Sequence, residues 1–140
     1  MTRYFAAAAL IVLSGNPLAA QAPRSVLQKG NTVLLAAYKC QADQLARADA
    51  IVEEVAAPIL NKHVAAGRLI TWGHTGVYIG DQANRLIYVW ATDPAALVQA
   101  RQAYLAELQA NAKFAEFVRV CGSATITVHN LITASAPPAK

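Results

Sequence analysis

His74 and His129 lie in stretches that read as β-strands, and imidazoles are the side chains best matched to acid–base work near neutral pH. Neither has a carboxylate or a second histidine at metal-ligand spacing, so no metal site is expected. A general base and a plain hydrogen-bonded strand histidine both fit them. His63 follows Lys62 near the end of a helical stretch, where an imidazole interacts with the helix C-terminus. Four aromatics, Tyr38, Trp72, Tyr88 and Trp90, together with Thr125 and Thr127, have the composition of a ligand pocket: apolar walls with a few placed polar groups. The same residues serve equally well as packing at a subunit interface. Asp43, Asp49, Glu53 and Glu54 are spaced as helix-surface charges, not as a catalytic carboxylate pair. The sequence has no nucleophile elbow, Walker loop, zincin motif or dinucleotide fingerprint, so no cofactor is expected.

The first twenty-two residues carry an export signal. Arg3 precedes an apolar run from Phe5 to Leu13, Ser14, Gly15 and Pro17 break it, and Ala20-Gln21-Ala22 forms a small-x-small cleavage site. That run is too short to span a bilayer, and no later run approaches the ~18 apolar residues a span requires. A mature chain cut after Ala22 is expected to be periplasmic or secreted, with about 118 residues in one domain. The net charge of +4 is carried by basic residues scattered singly, without the patch or stripe that a nucleic-acid partner demands. Cys40 and Cys121 are the only cysteines, and an even count in an oxidising compartment favours a disulfide.

Periodicity orders the elements that must position these side chains. Residues 23–30 read as a lead-in, 31–133 as the domain and 134–140 as a loose tail. Asn31 to Lys39 is strand-like; Gln41 to Ala66 is helical, with Leu45, Ala48, Val52, Val55 and Ile59 on one face and Pro58 as a kink or break. Leu69 to Ile79 is a strand whose Gly73 and Gly76 point to a bulge or a close backbone approach. A turn leads to the strand Arg85 to Ala91. Asp93 then caps a helix reaching about Asn111, which shows Leu97, Tyr104 and Leu108 on one side. A short helical turn from Phe114 to Val118 and a strand from Ser123 to Ile132 complete a β-α-β-β-α-β order, the ferredoxin-like α+β arrangement with a four-stranded antiparallel sheet. Its first and last strands are neighbours. Cys40 at the end of one then meets Cys121 at the start of the other, which supports the disulfide.

Both helices of this topology cover one sheet face, yet strands one and three are apolar on both. A second copy of the chain is the expected cover, giving a homodimer. If the cysteines set the register, Tyr38 pairs with Ser123, Ala36 with Thr125, Leu34 with Thr127 and Thr32 with His129. This mixed set, with Trp72, His74, Tyr88 and Trp90, is expected to line the space between the two sheets. Val33, Leu35, Ala37, Ile126 and Val128, with Ile87 and Val89, are expected to face the helices.

The chain resembles the dimeric α/β-barrel superfamily, and within it a group of exported bacterial proteins. The resemblance lies in Tyr38-Lys39-Cys40, the helical run Ala56 to Leu69, Trp72-Gly73, Gly80, and Phe117-Val118-Arg119-Val120-Cys121. It implies two ferredoxin-like sheets closed around a central barrel. Superfamily members include cofactor-free monooxygenases, haem-handling proteins, isomerases and stress proteins, so the fold alone selects no activity. The expected function is binding of a small, largely apolar ligand between the sheets of a homodimer. Two alternatives stand beside it: a cofactor-independent monooxygenase or isomerase using a barrel histidine, and haem binding through His74 or His129.

Overall fold

The structure is a computed structural model and describes residues 27–77 and 82–133; the expected export signal, Gly80 and the expected C-terminal tail lie outside these. Four strands, β1 (Thr32–Tyr38), β2 (Thr71–Gly76), β3 (Arg85–Ala91) and β4 (Thr125–Asn130), form an antiparallel sheet in the order β2-β3-β1-β4. This is the split βαβ topology that the element order implies.

The first helical stretch is built in pieces. A 3-10 turn (Ala42–Gln44) leads into α1 (Leu45–Ile51), a π-helical segment (Val52–Ala56) follows, and α2 (Ala57–Ala65) completes it. Pro58 explains the interruption. In a regular α-helix its missing N–H leaves the Glu54 carbonyl without a donor, and its ring clashes with that carbonyl; a wider turn relieves both. The extra residue also rotates the buried face, so that after Val52 and Val55 it is Leu60, at 2 % exposure, and not Ile59 that enters the core.

Asp93 caps α3 (Pro94–Gln109) by accepting a hydrogen bond from the Ala96 N–H at 2.9 Å. Leu97, Ala100, Tyr104 and Leu108 form its buried stripe at helical spacing. The last helix, α4 (Ala112–Cys121), is longer than the expected turn. Asn111 caps it at the Lys113 N–H, and Phe114, Phe117 and Cys121 recur along its inner side. A bidentate Arg47–Glu116 pair, at 2.8 and 2.7 Å, ties α1 to α4.

All of these helices pack on one sheet face, against Leu34, Ala36, Ile87 and Val89. Among the described residues no helix covers the other face. The Cys40–Cys121 disulfide is formed, with an S–S distance of 2.04 Å. It joins the residues just after β1 to the end of α4, not to the start of β4. Asn84 fastens the same corner, accepting from the Cys40 N–H at 2.9 Å and donating to its carbonyl at 2.7 Å.

Between Cys121 and β4 the chain turns through Gly122 at φ 67°. The cysteines therefore do not set the strand register. Leu34 pairs with Val128, Ala36 with Ile126 and Leu35 with Thr127, one residue away from the expected pairing. In a strand a one-residue slip exchanges the two faces. Thr32, Leu34, Ala36 and Tyr38 consequently face the helices, while Val33, Leu35 and Ala37 share the uncovered face with Leu86, Tyr88, Trp90, Thr125, Thr127 and His129. The expected facing holds for β3 and β4 and is reversed for β1.

The hairpin of β2 and β3 pairs without a break from Thr71↔Trp90 to Gly76↔Arg85, so Gly73 marks no bulge. It marks a close approach: the Tyr88 ring lies across it, and a Cβ at position 73 would overlap that ring.

Candidate functional site

The residues expected to form one site are divided by the sheet. Tyr88, Trp90, Thr125, Thr127 and His129 lie on the uncovered face. Tyr38, Trp72 and His74 turn the other way, towards the helices. Tyr38 stands edge-on to Phe117 with ring centroids 5.0 Å apart, and the Trp72 indole N–H donates to Asn61 Oδ1 on α2 at 2.8 Å. The physical reason is the pairing of β2 with β3: Trp72 sits opposite Val89 and His74 opposite Ile87, both helix-facing. His74 and His129 thus belong to opposite faces and cannot act on one substrate within a subunit.

His74 is held in a polar corner between α1 and the hairpin. Its Nε2 is buried, 3.5 Å from Asp49 Oδ1, and makes no hydrogen bond among the described residues. Asp49 instead accepts two hydrogen bonds from Arg85 Nε and Nη2, the second at 2.7 Å. These bonds hold the Asp49 carboxyl below the usual carboxylate range. Burial lowers the His74 pKa, and the Asp49 charge only partly offsets this. The imidazole is therefore a neutral side chain at physiological pH, set beside a structural ion pair.

His63, fully buried, is no free helix-end histidine. Arg68 Nε donates to its Nδ1 at 3.1 Å, which leaves Nε2 to donate to Glu107 Oε1 at 3.1 Å. Lys62 holds the other oxygen of Glu107 at 2.8 Å. This chain of contacts fastens the end of α2 to α3.

A pocket opens elsewhere, between the helix-facing side of the sheet and the helices. It has a volume of about 60 Å³ and walls made of hydrocarbon, including Leu34, Val52, Leu60, Leu108 and Phe117. Three polar residues are part of its lining: Tyr38, Tyr104 and Arg101. Arg101 and Tyr104 reach the same wall because they are three residues apart on α3 and share its inner side. Burial raises the pKa of Tyr38 and pushes that of Tyr104 up to about 12, the Arg101 charge working against burial in both. Both phenols are therefore protonated donors at neutral pH. Ile126, 45 % exposed on the edge strand β4, also lines the pocket and places its mouth there.

Of the expected ligand residues only Tyr38 lines this pocket. Its other polar residues, Arg101 and Tyr104, are outside the expected set. Tyr104 was legible as a core position, and Arg101 on the same helix side was the available signal, concealed among evenly scattered basic residues. Among the described residues no group of three or more histidines, cysteines and acids is arranged to hold a metal ion, and no helix is long and apolar enough to cross a membrane.

No family model and no curated relative matches the chain. Solved structures do. An uncharacterised NIPSNAP-like domain protein from Burkholderia xenovorans is 20% identical at a TM-score of 0.55, with 79% of this chain and 92% of that one covered. A dimeric ferredoxin-like protein from an uncultured marine organism is 17% identical at 0.53, covering 79% of this chain and all of its own length. A NIPSNAP family protein of unknown function from Agrobacterium tumefaciens is 18% identical at 0.52, with 79% and 96% covered. At such identities the likeness is one of fold. The chain has a ferredoxin-like α+β fold, shared with these proteins.

Proposed function

We propose that the protein is an exported homodimer that binds a small, largely apolar ligand in the pocket between its helices and its sheet. The observation that carries this reading is the pocket itself: hydrocarbon walls with three polar residues, Tyr38, Arg101 and Tyr104, in the lining, the composition of a small-molecule site. The pocket takes the place of the inter-sheet cavity as the ligand's location because the aromatic set expected to line that cavity is split between two faces.

The uncovered sheet face is assigned to a second copy of the chain. Leu35, Leu86, Tyr88 and Trp90 make it apolar, and similar folds include proteins described as dimeric. Export is supported by the N-terminal pattern of charge, apolar run and small-x-small site, and by a disulfide suited to an oxidising compartment.

Ligand binding is preferred over acid–base catalysis on the chemistry of the lining. No histidine lines the pocket among the described residues, and a phenol whose pKa stands near 12 is a poor base at neutral pH. A volume of about 60 Å³ also falls far short of a haem macrocycle. The test is sedimentation of the native protein beside Leu35→Glu, with native mass spectrometry of the same preparation. The expected result is a wild-type dimer, a folded monomeric variant and a small bound mass. A wild-type monomer overturns the assignment of the open face. A variant that still sediments as a dimer overturns it too.

A further inference from the structure

The three polar residues of the pocket share one property: each can donate a hydrogen bond. Tyr38 and Tyr104 keep their protons, Arg101 is permanently charged, and among the described residues that line the pocket Arg101 carries the only charge. Three donors without an acid among them form a receptor for an anion that has two acceptor oxygens. The guanidinium fork matches a carboxylate in shape as well as charge. The rest of the lining is hydrocarbon, with Leu105, Leu60 and Val52 among it. The space is narrow. About 60 Å³ is well below the roughly 150 Å³ of a dry cavity that takes benzene.

We infer that the ligand is a short-chain aliphatic monocarboxylate, its head on Arg101, Tyr38 and Tyr104 and its tail in the void beneath α3. This rests on the pocket reading above and narrows it to one chemical class. A ring is too wide and a long acyl chain too large for the space. A cation would meet Arg101, and a neutral alcohol would leave the guanidinium without an anionic partner.

Propanoate, propan-1-ol and propylamine at equal concentration are the probes. Binding to the disulfide-intact protein is followed by backbone amide shifts of Tyr104, Leu105 and Phe117, in the wild type and in Arg101→Gln and Arg101→Lys. Arg101 is half-buried and makes no ion pair among the described residues, so neither substitution removes a structural bridge. Propanoate is expected to bind about tenfold or more tightly than propan-1-ol, since a hydrogen bond to a charged group outweighs a neutral one. Arg101→Gln is expected to remove that advantage and leave propan-1-ol unchanged, and Arg101→Lys to keep part of it. Propan-1-ol equal to propanoate, or propanoate indifferent to Arg101→Gln, overturns the carboxylate assignment and leaves an apolar site standing. No shift with any of the three probes overturns the pocket as a binding site, and the carboxylate with it.

Discussion

Removing the Cys40–Cys121 bridge is the perturbation whose size follows most directly from the structure. The two residues are 81 apart in sequence, and both are buried at 4 % and 3 % exposure. Closing a loop of that length removes about 15 cal/mol/K of entropy from the unfolded chain, or about 4.5 kcal/mol at 25 °C in the chain-entropy model. For a domain of this size that corresponds to a fall in melting temperature of roughly 15–20 °C. Cys40→Ala with Cys121→Ala is the suitable variant, since it leaves neither a free thiol nor a buried hydroxyl. Urea unfolding followed by circular dichroism separates the two ways it can lose stability. Lost packing lowers the midpoint at constant slope, whereas release of the cross-link also steepens the slope because the unfolded chain expands. The expected result is a lower midpoint with a larger slope. A midpoint within error of the wild type would falsify the argument that this bridge holds the end of β1 to α4.

Two further predictions concern His74 and His63. His74 has a lowered pKa in the folded state, so below about pH 6.5, the ordinary imidazole value, the unfolded chain takes up a proton that the native one refuses. Stability contributed by the neutral ring is therefore complete above that pH and is lost progressively as the pH falls towards the lowered folded value. Urea midpoints measured across this range should decline in the wild type and decline less in His74→Gln; superimposable profiles would show that burial does not perturb the ring. His63→Ala removes a fully buried ring that joins Arg68 to Glu107 and should cost about 3 kcal/mol, from lost packing and from hydrogen bonds to charged partners. A loss below about 1 kcal/mol in the same unfolding assay would mean that the bridge between α2 and α3 contributes little.

Much of the architecture was legible in the chain because it is written in local chemistry. The strand Arg85–Ala91 coincides with its expected bounds, Asp93 caps the following helix, and Pro58 interrupts the preceding one. Each depends on a few neighbouring residues whose backbone preferences agree. The pairing of Cys40 with Cys121 needed only the strand order, since that order brings the end of β1 and the approach to β4 to the same corner. The candidate site was much less legible. Tyr38 was selected for the wrong face, Arg101 passed as one scattered charge among many, and His63 gave no hint of the two partners that enclose it.

The sequence by itself determined the order of elements, the helix caps and the identity of the bridged cysteines. Which side of each strand receives the helices was decided only in three dimensions. In β1 the two alternating sets, Leu34 with Ala36 and Val33 with Leu35, are almost equally apolar, so hydrophobicity has no preference between them. The choice falls to the register with β3 and β4, and one residue of turn at Gly122 is enough to reverse it. That register places Tyr38 beneath α3, beside Tyr104 and Arg101. It thereby moves the pocket from the space between two sheets to the space between sheet and helices.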